Sequence, residues 1–275
     1  MNIGVFYIAT SIYKEYFYKY FLPSMKNLFP NEQKKLILIS DGLNEYDNEY
    51  IDNYNIYVEH IINFPYPIIN LTKFQLVEFY AKKYGIDTIL YFDADTIIFK
   101  KNNEFWENLK TKLLNANNLI FSYHPNYLYN NSFNFEQGLF FPFNEVDNDI
   151  VNQFKIDYND FRNHKSYIMT SFFMGKYKYI KEYAEKIYNY AKIGLSTYYL
   201  RCIPFFSDET YLNIINHKEG YKLLLDKYIT INPYTYYSED YEERNINNIW
   251  KNNFPEYESI FINQKFNINL KNIIR

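Results

Sequence analysis

Apolar positions along this chain come in two rhythms: short unbroken runs, and longer stretches in which they recur with helical spacing. The run Ile3-Gly4-Val5-Phe6-Tyr7-Ile8-Ala9 predicts a buried strand. Residues 13–27 carry apolar positions near Tyr16, Phe17, Tyr20 and Phe21, which predicts a helix that Pro23 complicates in its later part. Residues 35–40 predict a second strand, closed by the turn pair Asp41-Gly42, and residues 55–60 a third. Asn70 stands where a helix over 71–84 would take its N-cap, with Gly85 as its stop. Residues 86–92 then predict another strand. Alternating strands and helices of this kind predict an α/β fold, with a doubly wound, mostly parallel central sheet flanked by helices.

Beyond residue 100 the rhythm loosens. Residues 105–114 predict a helix, 119–123 a strand, and 124–136 a polar, aromatic loop. A buried strand over 168–174 and a helix over 177–193 follow. Ser207-Asp208-Glu209-Thr210 opens a further helix to about residue 217, and 222–225 predicts one more strand. From residue 233 onward the chain is rich in Asn, Glu and Tyr, and an irregular C-terminal tail that orders on ligand binding is expected.

Composition narrows the function classes. The 275 residues suffice for a substantial core. The 33 Tyr and 25 Phe are spread over the whole chain, and Lys is matched by nearby Asp and Glu, which reads as compositional bias rather than a stacking platform for single strands. A net charge of −3 gives no electrostatic footprint for nucleic acid. Cys202 is the sole cysteine, so no intramolecular disulfide forms. With 4 His and no His/Cys array, a structural zinc site is not expected. The start Met1-Asn2-Ile3-Gly4-Val5-Phe6 lacks the basic n-region of a signal peptide, and no apolar run approaches the ~18 residues of a spanning helix. The expectation is a soluble, cytoplasmic protein with no transmembrane segment.

The strongest chemical signal is Ile-Leu-Tyr-Phe-Asp-Ala-Asp-Thr-Ile-Ile-Phe at 89–99. Aspartate is disfavoured in strands and an unpaired buried carboxylate is costly, so Asp93 and Asp95 call for compensation. A hard divalent cation, Mn²⁺ or Mg²⁺, takes oxygen ligands and is commonly shared with substrate phosphates. The competing reading is a turn whose aspartates bond their own backbone. The end of the first strand, Ile8-Ala9-Thr10 with Tyr13, lies where nucleotides dock in open α/β sheets. It carries neither a glycine-rich dinucleotide fingerprint nor a Walker A sequence. Tyr13 reads either as a core aromatic or as a base-stacking group. Asp208 and Glu209 read either as ordinary helix-start acids or as carboxylates aimed at a substrate. His124 reads as a surface residue or as a ligand contact.

Taken together, these stretches resemble glycosyltransferase family 6, the group of the blood-group A and B transferases and their bacterial relatives. The resemblance rests on Gly4–Thr10 with Tyr13; on Leu71-Thr72-Lys73-Phe74 before Tyr91-Phe92-Asp93-Ala94-Asp95; on His124-Pro125 with Phe133-Asn134-Phe135-Glu136; and on Phe172-Phe173-Met174-Gly175 before Ser207-Asp208-Glu209-Thr210-Tyr211-Leu212-Asn213. It implies a GT-A fold, with a catalytic domain over 1–232 and a tail over 233–275 that closes over the site. The donor-binding half would span about 1–100 and the acceptor half about 101–232. It implies retaining transfer of galactose or N-acetylgalactosamine from a UDP-sugar to an oligosaccharide or glycolipid acceptor, which leaves room for peripheral membrane contact.

The residue roles it implies are as follows. Ile8, Ala9, Thr10 and Tyr13, with Asp93 and Ala94, would hold the nucleotide. Asp93 and Asp95 would hold Mn²⁺ or Mg²⁺. Lys73, Asp208, Met169, Thr170 and Ser171 would line the donor sugar. His124, Asn134, Phe206 and Glu209 would shape the acceptor side, with Glu209 also under the anomeric carbon as the catalytic carboxylate. Lys73 stands where the family usually has arginine, and Ser207 where it has histidine; Met169 with a residue larger than glycine after it leans toward galactose. A family 8-like retaining transferase and a non-catalytic UDP-sugar-binding protein are the alternatives.

Overall fold

The computed structural model describes residues 2–11, 13–42, 56–62, 68–94, 96–98, 101–123, 168–196, 207–219, 230–232 and 259–263. Strands β1 (Ile3–Ala9), β2 (Lys34–Ser40), β3 (Ile56–His60), β4 (Thr88–Phe92), β6 (Ile120–Tyr123) and β7 (Ile168–Lys176) form one sheet in the order β3-β2-β1-β4-β7-β6. The first four are mutually parallel. Strand β7 runs antiparallel to both β4 and β6, so five strands share one direction and the sheet is mixed.

Covering a sheet on both faces requires strands apolar on both sides. All seven residues of β1 and all five of β4 are buried. One face packs Val5, Tyr7, Leu36, Leu38, Leu90 and Phe92 under Phe17 and Phe21, which lie between α1 (Tyr13–Tyr16) and α2 (Leu22–Met25), and under α2 and α5 (Asn103–Asn115). The other packs Phe6, Ile8, Ile37, Ile89, Tyr91 and Phe173 under α4 (Lys73–Lys83), α6 (Tyr177–Ser196) and α7 (Ser207–Glu219).

The first helical region is broken where the sequence predicts continuity. A π-helical turn, Phe17–Phe21, joins α1 to α2, with Pro23 in the first turn of α2. Proline lacks the N–H that an uninterrupted ladder needs, and a π turn is one way to absorb that loss. The helix expected over 71–84 also begins earlier: α3 (Ile68–Leu71) contains Asn70, so Asn70 is not the cap. Thr72 separates α3 from α4 and turns its Oγ1 back onto Ile68 O at 3.1 Å. Gly85, at φ +58°, ends the helix as expected, in a conformation that favours glycine.

A second, three-stranded sheet corrects the expectation of a wholly irregular tail. Strand β5 (Thr96–Ile98) pairs antiparallel with β9 (Ser259–Asn263), which pairs parallel with β8 (Thr230–Asn232). The C-terminal region is therefore anchored to the strand that follows the Asp93 turn. The predicted loop at 124–136 and strand at 222–225 lie outside the described residues.

The connections place a reversal of winding in the middle of the sheet. From β1 the chain passes under the first face to reach β2; from β3 it passes over the second face, through α3 and α4, to reach β4. Strands β1 and β4 are neighbours, so the winding reverses between them. Ligands of open α/β sheets bind outside the carboxyl ends of strands at such a point.

Candidate active site

At the carboxyl end of β4 the chain turns through Asp93 and Ala94 into β5. Two tyrosines from adjacent strands fix that turn. Tyr7 of β1 donates its hydroxyl hydrogen bond to Ala94 O. Tyr91 of β4 donates to Asp93 Oδ1 at 2.7 Å. The Tyr91 ring stacks on Phe173 (4.7 Å, 12°), which stacks on Phe74 (4.4 Å, 14°), so an aromatic column backs the acid. Burial, then the neighbouring Asp93 carboxylate, holds the Tyr91 phenol well above its ordinary pKa, so it remains a donor.

Lys73 is the hub. Its side chain is 4 % exposed, and its ammonium reaches three acceptors: Asp208 Oδ2 at 2.7 Å, Asp93 Oδ1 at 3.2 Å and Thr170 O at 3.1 Å. The first is an ion pair, and the other two are hydrogen bonds that the ammonium donates. It also lies 5.1 Å from the centre of the Tyr91 ring. Burial by itself would lower the lysine pKa, but Asp208 and Asp93 outweigh it and hold the group above its ordinary value. Three elements, α4, the β4 turn and α7, thus meet on one buried cation.

Strand β7 supplies the fourth wall through an interruption in its ladder. Phe121 pairs with Phe173, yet the next residue, Ser122, pairs with Met169, so Thr170, Ser171 and Phe172 have no partner on β6. Buried backbone groups need partners, and here they come from the site. Thr170 N donates to Glu209 Oε2 at 3.3 Å and Thr170 O accepts from Lys73. Ser171 O accepts from Asp93 N at 2.8 Å. Bulges of this kind recur beside functional sites. The Ser171 hydroxyl is buried and has no hydrogen-bond partner among the described residues.

Helix α7 is docked by one amide. Asn213 accepts from Ile168 N at 2.9 Å and donates to Ile168 O at 2.9 Å and to Glu209 O at 2.8 Å. Asn213 thereby completes the backbone of β7 and fixes the first turn of α7, which carries Asp208 and Glu209. Both acids are buried, at 3 % and 7 % exposure. They are therefore more than solvated helix-start residues.

The carboxyl end of β1 forms the remaining side. Ala9 is buried and Thr10 is partly exposed. Thr10 O accepts from Tyr13 N at 3.1 Å. The Tyr13 ring is 47 % exposed, so it is not a core aromatic. Ile8 is buried in the second face, and Met169 in the first, on the opposite side of the sheet from Ile168.

Of the residues singled out in the sequence, Lys73, Asp93, Thr170, Ser171, Asp208 and Glu209 are brought together by direct contacts. Ala94 is tied to β1 by Tyr7. Asp95, His124, Asn134 and Phe206 lie outside the described residues. Tyr7, Tyr91 and Asn213 are parts of the site that the pattern of apolar residues conceals; their signal is a polar atom carried into a buried run.

Two carboxyl groups, on Asp93 and Asp208, share the ammonium of Lys73, and the Glu209 carboxyl stands on the other side of Thr170, accepting from its N–H. The side chain of Asp93 is one-third exposed (33 %), whereas those of Lys73 and Asp208 are buried. Asp93 Oδ1 is taken up by Lys73 and Tyr91, which leaves Oδ2 as the oxygen with the chemistry to meet a hard cation. No group of three or more His, Cys, Asp or Glu able to hold a metal occurs among the described residues. No helix among them is long and apolar enough to cross a membrane. Searches against protein-family models and against curated proteins find no match to this chain.

Proposed function

We propose that this protein is a metal-dependent, retaining glycosyltransferase of the GT-A type, which moves galactose or N-acetylgalactosamine from a UDP-sugar to a glycan hydroxyl. The observation that carries the reading is the convergence of Lys73, Asp93, Asp208 and Glu209 at the carboxyl end of β4. It stands beside the point where the sheet reverses its winding, where nucleotides are bound in folds of this class.

Within that reading each group has a task. Tyr13 and the Ile8–Thr10 backbone hold the uridine. Asp93, with Asp95, would hold Mn²⁺ or Mg²⁺, and such a cation would neutralise charge on a diphosphate leaving group. Lys73 orients Asp93 and Asp208 and keeps them apart. Asp208 faces the sugar hydroxyls. As the bond between the anomeric carbon and the diphosphate oxygen breaks, that carbon becomes cationic, and the Glu209 carboxylate stabilises it. Retention then follows either from a covalent glycosyl–Glu209 intermediate or from acceptor attack on the face that UDP leaves. In both cases UDP takes the bonding electrons, and the acceptor hydroxyl passes its proton to the released diphosphate oxygen as the new glycosidic bond forms.

The test is a donor panel. With Mn²⁺ present, UDP-galactose is consumed fastest among UDP-galactose, UDP-N-acetylgalactosamine and UDP-glucose, as followed by UDP release. Preference for UDP-glucose favours the family 8-like alternative; no turnover of any donor in the presence of glycan acceptors favours a binding protein.

A further inference from the structure

At the carboxyl end of β1 the loop is held in an unfavourable conformation by a brace from β2. Ser11 has φ +52°, the left-handed region that a residue with a Cβ adopts at a cost. Its N–H is directed at both oxygens of Asp41, at 3.3 and 3.2 Å. Asp41 follows directly on β2 and is paired with Lys14 (3.1 Å), and both side chains are largely buried. Lys14 also donates to Gly42 O at 3.1 Å, and Ser40 Oγ donates to the same carbonyl at 3.1 Å.

Between the two braced residues, Ser11 and Lys14, the backbone folds through Tyr13 N to Thr10 O (3.1 Å) and Lys14 N to Ser11 O (3.3 Å). The effect is to hold the Tyr13 ring out toward solvent while its own backbone is fixed at both ends. A surface ion pair has no need of a strained backbone; a pre-organised ring for stacking does.

We infer that Asp41 is a positioning residue for nucleoside binding: with Lys14 it locks Ser11 in its left-handed conformation and so presents Thr10 and Tyr13 as a preformed seat for a pyrimidine nucleoside. This rests on the reading that the site takes UDP. It adds that the base-binding seat is built by β2, independently of the acid cluster at β4. Uridine alone, with neither diphosphate nor metal, therefore senses the brace.

The experiment titrates uridine by NMR, without added metal, against wild type, Asp41→Ala and the double variant Asp41→Ala/Ser11→Gly. Glycine adopts positive φ without the steric cost, so it replaces the function of the brace but not its ion pair. Asp41→Ala weakens uridine binding about tenfold, and the added glycine restores it to within about threefold of wild type. Should the alanine variant not fold, Asp41→Leu with and without Ser11→Gly makes the same comparison, since leucine likewise offers no acceptor to Ser11 N. Equal binding by wild type and the Asp41 variant overturns the inference, as does a loss that glycine does not recover, which would mark a merely structural role. A wild type that binds neither uridine nor UDP removes the functional reading itself; a wild type that binds both while the variant is unaffected removes this inference alone.

Discussion

Lys73→Met lowers the stability of the protein by about 3–5 kcal/mol, because removing one partner of a buried ionic cluster leaves the others uncompensated. For a chain of this size that corresponds to a fall in Tm on the order of 10 °C. Two acids, Asp93 and Asp208, share one ammonium at 3.2 and 2.7 Å, and Thr170 O loses a buried donor as well. Lys73→Arg keeps the charge, but its planar fork does not match three acceptors on three elements, so an intermediate loss is expected.

The sign of the pH dependence follows from the raised pKa of Lys73. The native state holds that proton more tightly than the unfolded chain does. Its contribution is therefore fully present at neutral pH, stays level up to the ordinary lysine range, and is lost as pH rises beyond it. Urea denaturation of wild type and Lys73→Met at about pH 7 and about pH 9 gives the same difference at both if this is right. A methionine variant as stable as wild type would show that the cluster does not hold the site together.

Glu209→Gln reduces turnover of UDP-galactose about 10³-fold while leaving UDP affinity within about twofold. The reasoning is geometric. Glutamine has the same shape, and its carbonyl oxygen still accepts from Thr170 N, so the bulge of β7 keeps its partner. What disappears is the negative charge beside the carbon that becomes cationic. Steady-state kinetics with a circular dichroism control separates this from misfolding. If the variant and wild type turn over at equal rates, Glu209 is not the catalytic carboxylate.

Much of this architecture was readable in the chain because parallel strands covered on both faces are nearly continuous apolar runs. Strands β1 and β4 stand out for that reason, and their carboxyl ends locate Thr10, Tyr13 and Asp93. The two aspartates of 93–95 and the acids at Ser207-Asp208-Glu209 were visible as carboxylates in places that need a reason.

Other parts were hidden because they depend on distant partners. Strand β9 is five residues in an Asn-rich segment, and only its pairing with β5 and β8 makes it a strand. The bulge of β7 reads locally as one buried strand, Ile168 to Met174, with Thr170-Ser171 in its middle; only the register against β6 reveals it. Asp41 resembled an ordinary turn residue until Ser11 and Lys14 were seen to converge on it. Lys73 shows its charge in the sequence but not that three elements meet on it. Burial of a lysine is rare unless it is paired, and pairing is a property of the fold.

The central claim is that a divalent cation held at Asp93 grips a nucleotide diphosphate at the carboxyl ends of β1 and β4. Calorimetric titration of UDP, with Mn²⁺ and again with the metal removed by a chelator, tests it most directly. The account predicts binding with Mn²⁺ that weakens at least about tenfold in the chelator and is likewise weakened by Asp93→Ala. No UDP binding at saturating Mn²⁺, or an affinity indifferent to both the metal and Asp93, would contradict it.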